Sequence, residues 1–189
     1  GEASVDVDVY NALPPAGLDG PEIVCEGESF TLCTSNYHDY GGATFTVSPP
    51  NSTSISSAIE VDEEGCVTIN PGDFAYVSGA FTVVYTDASG CAAEPGVPFV
   101  VNINPIPEAT AWNSGPICFG EPVQLFAGDV PGATYEWYTG DDLVSTDQNP
   151  YVFDLSVETT YTVYTTLDGC TSEGASTTVT FDGPQVTVF

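Results

Sequence analysis

An internal repeat constrains the fold of this chain more than any other feature of its sequence. Three blocks recur in the same order in both halves: residues 20–28 resemble 115–121, residues 43–47 resemble 133–137, and residues 81–91 resemble 161–170. Self-similarity of this kind indicates a duplicated structural unit. The sequence therefore predicts two copies of one domain, over residues 20–104 and 105–183, with an N-terminal strand and linker over 1–19 and a C-terminal strand over 184–189.

Both copies have the pattern of β-strands. Short segments alternate apolar with polar residues or are rich in β-branched and aromatic residues, turn residues separate them, and no segment shows helical periodicity. The predicted strands are 29–33, 43–47, 66–69, 80–86 and 97–103 in the first copy, and 123–126, 134–138, 151–155, 160–165 and 176–181 in the second. We therefore predict an all-β chain of two tandem Ig-like β-sandwich domains, with Trp137 in the core of the second.

The cysteines predict disulfides. There are six of them, no two are spaced as a CxxC pair, and a single histidine makes a Cys/His zinc site a poor alternative. Because Cys25 and Cys91 are the repeat equivalents of Cys118 and Cys170, we expect a Cys25–Cys91 and a Cys118–Cys170 bridge, each joining the end loops of its domain. Cys33 and Cys66 then form a third bridge. Disulfides of this kind predict an oxidising, extracellular location.

The charge balance excludes several classes of partner. The chain has no Lys or Arg against 27 Asp and Glu, so its formal net charge is −27. Without cations it cannot neutralise phosphates, which excludes nucleic acid and anionic membrane surfaces as partners. No apolar run is long enough for a membrane span, so we expect no membrane insertion. Neighbouring copies should repel one another unless cations screen the charge.

Acidic clusters are the first candidates for chemistry. Asp62, Glu63 and Glu64, and likewise Asp141 and Asp142, lie beside glycine in predicted turns. Nothing in their surroundings indicates an apolar pocket of the kind that tunes paired catalytic carboxylates. They are weak candidates for Ca²⁺ binding because they lack the spacing of a calcium loop, so we expect Ca²⁺ only as a loose counterion. The sequence predicts no catalytic residue, no enzyme activity and no cofactor.

A polar aromatic loop supplies a second candidate. Tyr37, His38 and Tyr40 lie close together there, and such side chains could form a ligand patch that stacks on sugars. This patch supports an alternative function, that of a carbohydrate- or cation-binding accessory module of a secreted protein. A lone histidine is more often an ordinary loop residue than a catalyst.

The motifs of the second copy resemble a known family. They are Cys118-Phe119-Gly120, Tyr135-Glu136-Trp137, Thr159-Thr160-Tyr161-Thr162-Val163 and Gly169-Cys170, and the first copy keeps several of them but has Val47 at the tryptophan position. The pattern is similar to the Ig-like or PKD-like repeats of large cell-surface adhesins and secreted surface proteins of Bacteroidota. The resemblance implies a spacer or adhesive stalk exported to the cell surface, and it brings no catalytic residues with it.

The N-terminal segment looks like a strand of a neighbouring unit. Residues 7–14 resemble 101–107, which belong to the predicted last strand of the first copy, and Val5, Val7 and Val9 alternate with aspartates. Two interpretations follow. In the first, the chain is part of a longer array or this strand simply pairs within its own chain; in the second, the strand adds to the sheet of a neighbouring subunit and builds a filament. The expected partners are thus neighbouring copies or adjacent repeats, together with extracellular glycans or surfaces.

Overall fold

The computed structural model describes residues 16–35, 44–50, 59–86, 90, 92–93 and 95–182. Two compact units divide the chain, unit 1 over Gly1–Ile103 and unit 2 over Asn104–Phe189. Sixteen β-strands and no helix lie in these described ranges. It follows that the described residues contain no helix with the length and apolar character that crossing a membrane requires.

Unit 1 has a small antiparallel sheet and a larger second sheet. The small sheet has the order β1-β3-β6, and the larger has the order β2-β8-β7-β4-β5. The strands are β1 (Leu18–Asp19), β2 (Ile23–Cys25), β3 (Phe30–Thr34), β4 (Thr44–Ser48), β5 (Ile59–Glu60), β6 (Cys66–Ile69), β7 (Gly79–Thr86) and β8 (Phe99–Asn104).

Alternation along these strands builds the core of unit 1. In β7, Phe81, Val83 and Tyr85 are buried while their neighbours are partly exposed, as expected of a strand with one face on a core. From the small sheet, Phe30 meets Phe81 edge to face, with ring centroids 5.8 Å apart. The apolar faces of the two sheets therefore pack on one another as a sandwich.

Unit 2 repeats this plan. Its small sheet has the order β13-β10-β9, and its larger sheet has the order β12-β11-β14, with β15 and β16 both paired to β14. The strands are β9 (Ala111–Asn113), β10 (Val123–Ala127), β11 (Thr134–Thr139), β12 (Asp142–Ser145), β13 (Tyr151–Val152), β14 (Thr159–Leu167), β15 (Cys170–Thr171) and β16 (Ala175–Val179). The predicted strand over 151–155 ends early because Asp154 adopts a left-handed conformation with φ 59°, which an extended chain cannot continue through.

The two units share one strand register. Phe45 and Val47 of β4 pair with Tyr85 and Val83 of β7, just as Tyr135 and Trp137 of β11 pair with Thr165 and Val163 of β14. Val47 and Trp137 are therefore the same structural position, and both are fully buried. The sequence repeat is thus a repeat of strand pairing as well.

The disulfides agree with the prediction only in part. Cys33 and Cys66 are bonded and face one another directly across β3 and β6. Cys25 is also disulfide-bonded, while its predicted partner Cys91 lies outside the described residues. The predicted Cys118–Cys170 bond is wrong for this structure, since Cys118 is an exposed free thiol and Cys170 is disulfide-bonded. The physical reason is their setting: Cys118 lies in an exposed turn closed onto Glu121, whereas Cys170 is fully buried.

Two buried residues of unit 2 that contact one another, Thr165 and Ser172, should respond to substitution with opposite changes in stability. Thr165 is fully buried and its Oγ1 has no hydrogen-bond partner, whereas its backbone N–H donates to Ser172 Oγ at 3.0 Å. Thr165→Val removes an unsatisfied polar atom and should raise the free energy of unfolding by about 1 kcal/mol. Ser172→Ala leaves a buried N–H without its acceptor and should lower it by about 1–3 kcal/mol. Urea denaturation of the two variants measures both, and equal effects of the same sign would contradict this account.

Candidate ligand-binding surface

Trp137 belongs to the core and not to a binding surface. Its side chain is 0% exposed and lies in one apolar cluster with residues of both sheets, among them Leu125, Val163 and Val179. The indole Nε1 donates to the carbonyl oxygen of Gln148 at 3.2 Å, so its one polar atom is satisfied. The predicted core position is confirmed, and a role for this ring in stacking on a ligand is excluded.

The first acidic cluster is a turn. Asp62 Oδ1 accepts hydrogen bonds from the backbone N–H of Glu64 at 3.1 Å and of Cys66 at 2.8 Å. An aspartate that bonds its own following backbone closes a tight loop, here the connection between β5 and β6. One oxygen of Asp62 is therefore engaged in the fold, and Glu63 and Glu64 lie exposed beside it.

The second acidic cluster is a turn as well. Asp142 pairs with Thr139 at the tip of the β11–β12 hairpin, and Gly140 supplies the left-handed conformation, with φ 59°. Within the described residues no three His, Cys, Asp or Glu side chains come together in a group that could hold a metal ion. The aromatic patch of Tyr37, His38 and Tyr40, and the strand of Val5, Val7 and Val9, lie outside the described residues.

A polar surface covers the outer side of the larger sheet of unit 2. Thr160 and Thr162 of β14 face Thr178 and Ser176 of β16, with hydroxyl oxygens 2.8 Å apart in each pair. Beyond β14, the hydroxyl of Tyr138 donates to Glu136 Oε2 at 3.2 Å. Partial desolvation, and secondarily the charge of Glu136, raises the pKa of Tyr138, so this hydroxyl stays protonated at neutral pH.

The outer side of the small sheet of unit 2 is aromatic instead. In β10, Val123, Leu125 and Ala127 face the core, so Gln124 and Phe126 point outward. Trp112 of β9 lies directly opposite Phe126, and the two rings stack 5.6 Å apart with an interplanar angle of 13°. Trp112 nevertheless remains 49% exposed.

A second aromatic pair continues this surface on the other side of β10. Tyr151 of β13 lies opposite Gln124, and its ring lies 6.5 Å from that of Phe153 with an interplanar angle of 30°. These two side chains are 59% and 63% exposed. Gln124 is held between the pairs by a hydrogen bond from its Nε2 to the carbonyl of Asn149 at 3.4 Å. We call the set Trp112, Phe126, Gln124, Tyr151 and Phe153 the aromatic row.

The aromatic row was not among the sequence predictions. A signal for part of it exists, because the alternation in 123–127 places Phe126 on the face opposite Val123 and Leu125. The remaining rings come from segments far apart in the chain. Only the pairing of β9 and β13 with the two sides of β10 brings them onto one face.

The distribution of strands between the sheets defines the class of fold. The small sheet consists of β1, β3 and β6 in unit 1 and of β9, β10 and β13 in unit 2. In each unit the larger sheet contains the next strand pair, β4–β5 or β11–β12, the longest strand, β7 or β14, and the last strand, β8 or β16. This is the two-sheet arrangement of an Ig-like β-sandwich, so the predicted fold class is confirmed.

Comparison with known proteins supports the Ig-like fold of unit 2. Residues 107–182 match the model of a protein family described as Ig-like domain, CHU_C associated. No curated protein is similar enough to the chain to match it.

Several solved structures are similar at low identity. Three N-terminal domains of the Highly Immunogenic Outer Capsid protein of bacteriophage RB49 are 15% identical at a TM-score of 0.45, covering 88% of this chain and 59% of that one. Murine CEACAM1b is 14% identical at a TM-score of 0.49, covering 88% and 99%. The human OSCAR ligand-binding domain is 14% identical at a TM-score of 0.41, covering 87% and 97%. The chain thus spans about three fifths of the bacteriophage structure.

Proposed function

We propose that this protein is an extracellular structural and adhesive segment of a bacterial surface protein, acting in a stalk or filament. The observation that carries the proposal is the duplication of one Ig-like sandwich with the same strand register in both copies. Repetition of a compact unit extends a chain without adding any site for chemistry. The Cys33–Cys66 bond supports an oxidising environment, in which such bonds persist.

The protein is not an enzyme under this proposal. Its acidic clusters form turns, its buried tryptophan lies in the core, and the description of the family matched by residues 107–182 names a domain type. The proposed function is mechanical. Each sandwich resists deformation because the apolar faces of its two sheets are removed from water. Adhesion requires, in addition, a surface that contacts a partner, and the aromatic row is the surface that favours this part of the proposal.

Assembly into a filament by strand addition is the finer part of the proposal. A sandwich leaves edge strands with unpaired backbone groups, and within the described residues β12 pairs on one side only, with β11. Leu143 and Val144 on this strand are exposed. A neighbour's segment around Val5, Val7 and Val9 has the alternation that such pairing needs.

Negative-stain electron microscopy of the purified chain at increasing concentration tests the assembly. Filaments are expected when NaCl or Ca²⁺ screens the charge of −27, and chelation at low ionic strength should loosen them. Deletion of residues 1–12, or a triple Lys substitution at Val5, Val7 and Val9, should abolish them. The matched control, Asp6→Asn with Asp8→Asn, keeps the apolar face and should retain them.

Two results would count against the proposal. A chain that stays monomeric under every ionic condition contradicts the filament, and unaltered filaments after the deletion contradict strand addition. Antibody labelling of intact producing cells tests the location separately, and a signal that appears only after permeabilisation contradicts the surface role.

A further inference from the structure

The aromatic row exposes large rings that the fold does not require. Unit 1 has the same strand register, so its small sheet shows what the Ig-like sandwich needs at these positions. Thr31 and Thr68 stand where unit 2 has Gln124 and Tyr151, and their hydroxyl oxygens lie 2.9 Å apart. Asp19 and Cys33 stand where unit 2 has Trp112 and Phe126. Unit 1 is therefore an internal control in which none of these four positions carries a ring.

Exposure of these rings has no benefit for stability. Burial of apolar surface is what stabilises a fold, and rings left about half or more in water contribute little of it. Isolated exposed hydrophobic residues are ordinary, but a contiguous group of them on one sheet face marks a surface that contacts something else. Trp112, Tyr151 and Phe153 form such a group, and Phe126 and Gln124 connect its two ends.

The electrostatic character of the aromatic row indicates which kind of partner it can bind. The row contains no Asp or Glu, although the chain as a whole carries a formal charge of −27. A second copy of this chain would bring two strongly negative bodies together, which costs electrostatic free energy. A polyanion would meet the same repulsion. An uncharged partner meets none, so the row fits a neutral occupant.

The geometry of the row fits a saccharide chain. Its rings form two stacked pairs, with interplanar angles of 13° and 30°, and a hydrogen-bonding amide lies between them. The C–H groups of a pyranose carry partial positive charge and stack on the negative face of an aromatic ring, while its hydroxyls bond to an amide. Trp112 and Tyr151 are two strands and two residues apart, roughly 12 Å between Cα atoms, and Phe153 extends the row further. This length suits several consecutive sugar units.

We propose that the outer face of β9, β10 and β13 binds a neutral glycan, with Trp112 and Tyr151 as the stacking rings and Gln124 as the hydrogen-bonding group between them. The inference rests on the adhesive part of the proposed function and names its target. It leaves the stalk or filament role as a separate matter, because that role depends on the edge strands and not on this face.

Affinity electrophoresis of the full chain in gels that contain xylan, galactomannan, mixed-linkage β-glucan or hydroxyethyl cellulose tests the proposal, with alginate as the polyanion control. At least one neutral polymer should retard the chain, alginate should not, and added salt should change little because no charge is involved. Trp112→Ala and Tyr151→Ala should each weaken the binding more than about tenfold. Tyr164→Ala, an exposed aromatic on the larger sheet, is the matched control and should bind normally.

A fluorescence titration gives a second readout. The chain has two tryptophans, and only Trp112 is exposed. Neutral oligosaccharides from the retarding polymer should therefore shift the emission of the native chain but not of Trp112→Phe, while the buried Trp137 reports that each variant is folded.

Three results would overturn the inference. They are the absence of retardation by all four neutral polymers, retardation that is equal in Trp112→Ala and the native chain, and a dimer that dissociates on Trp112→Ala, which would assign the row to a second copy. Each of these can occur with surface location and filaments intact, so failure of this inference is distinguishable from failure of the proposed function.

Discussion

Replacement of Trp137 by alanine should lower the free energy of unfolding of unit 2 by about 3–5 kcal/mol. The indole is fully buried among residues of both sheets, so its loss leaves a cavity that the surrounding strands can close only in part. The carbonyl of Gln148 also loses its donor. Because most single domains are stable by about 5–15 kcal/mol, this change would consume a large part of the stability of the unit.

Trp112→Ala is the matched control for that substitution. It removes the same side chain from the same unit, but at a position that is 49% exposed, so the free energy of unfolding should change by less than about 1 kcal/mol. Urea titration followed by circular dichroism, and by fluorescence of the remaining tryptophan, measures both. Equal costs for the two substitutions would show that the core of unit 2 is not centred on Trp137.

Removal of the Cys33–Cys66 bond should cost unit 1 about 3–4 kcal/mol. The bond closes a segment with a sequence separation of 33, and in the chain-entropy model the cost follows from the freedom that the unfolded chain regains. The variant Cys33→Ser with Cys66→Ser removes the bond and leaves no thiol at either of these two positions. Its unfolding, followed by circular dichroism, should begin at lower urea.

Unit 2 provides the control for the disulfide variant within the same molecule. Both tryptophans lie in unit 2, so their fluorescence should follow a transition that the double serine variant leaves in place. The outcome that contradicts the prediction is a circular dichroism transition identical to that of the native chain. That result would mean that the unfolded state of unit 1 is restricted by something other than this bond.

The core was predictable from the sequence because one physical rule governs it. Side chains alternate across a strand, so the apolar positions around Phe81, Val83 and Tyr85 indicate which face is inside. The repeat then carried the interpretation from one unit to the other. Trp137 follows from both arguments, since it alternates with Tyr135 on a strand and aligns with the buried Val47.

The cysteine pairing and the aromatic row were beyond this reasoning. The alignment of Cys118 with Cys25 shows only that the two cysteines are equivalent along the chain. It does not show whether the local turn leaves the thiol exposed, as the turn at Cys118 does. For the aromatic row, the sequence indicates where strands lie along the chain but not which strands are neighbours in a sheet. Trp112, Phe126 and Tyr151 share a face only because β9 and β13 flank β10, and one sequence does not specify which strands pair.

The shared register has a consequence for how a duplicated domain can diverge. Inward positions such as Leu32 and its equivalent Leu125 keep the sandwich closed and are apolar in both copies. Its outward positions carry no such obligation: where one copy joins Cys33 to Cys66 by a covalent bond, the other has Phe126 under a tryptophan. The same arrangement of strands thus gives each copy an outer sheet face whose role can change by substitution alone, with no insertion and no change in the fold.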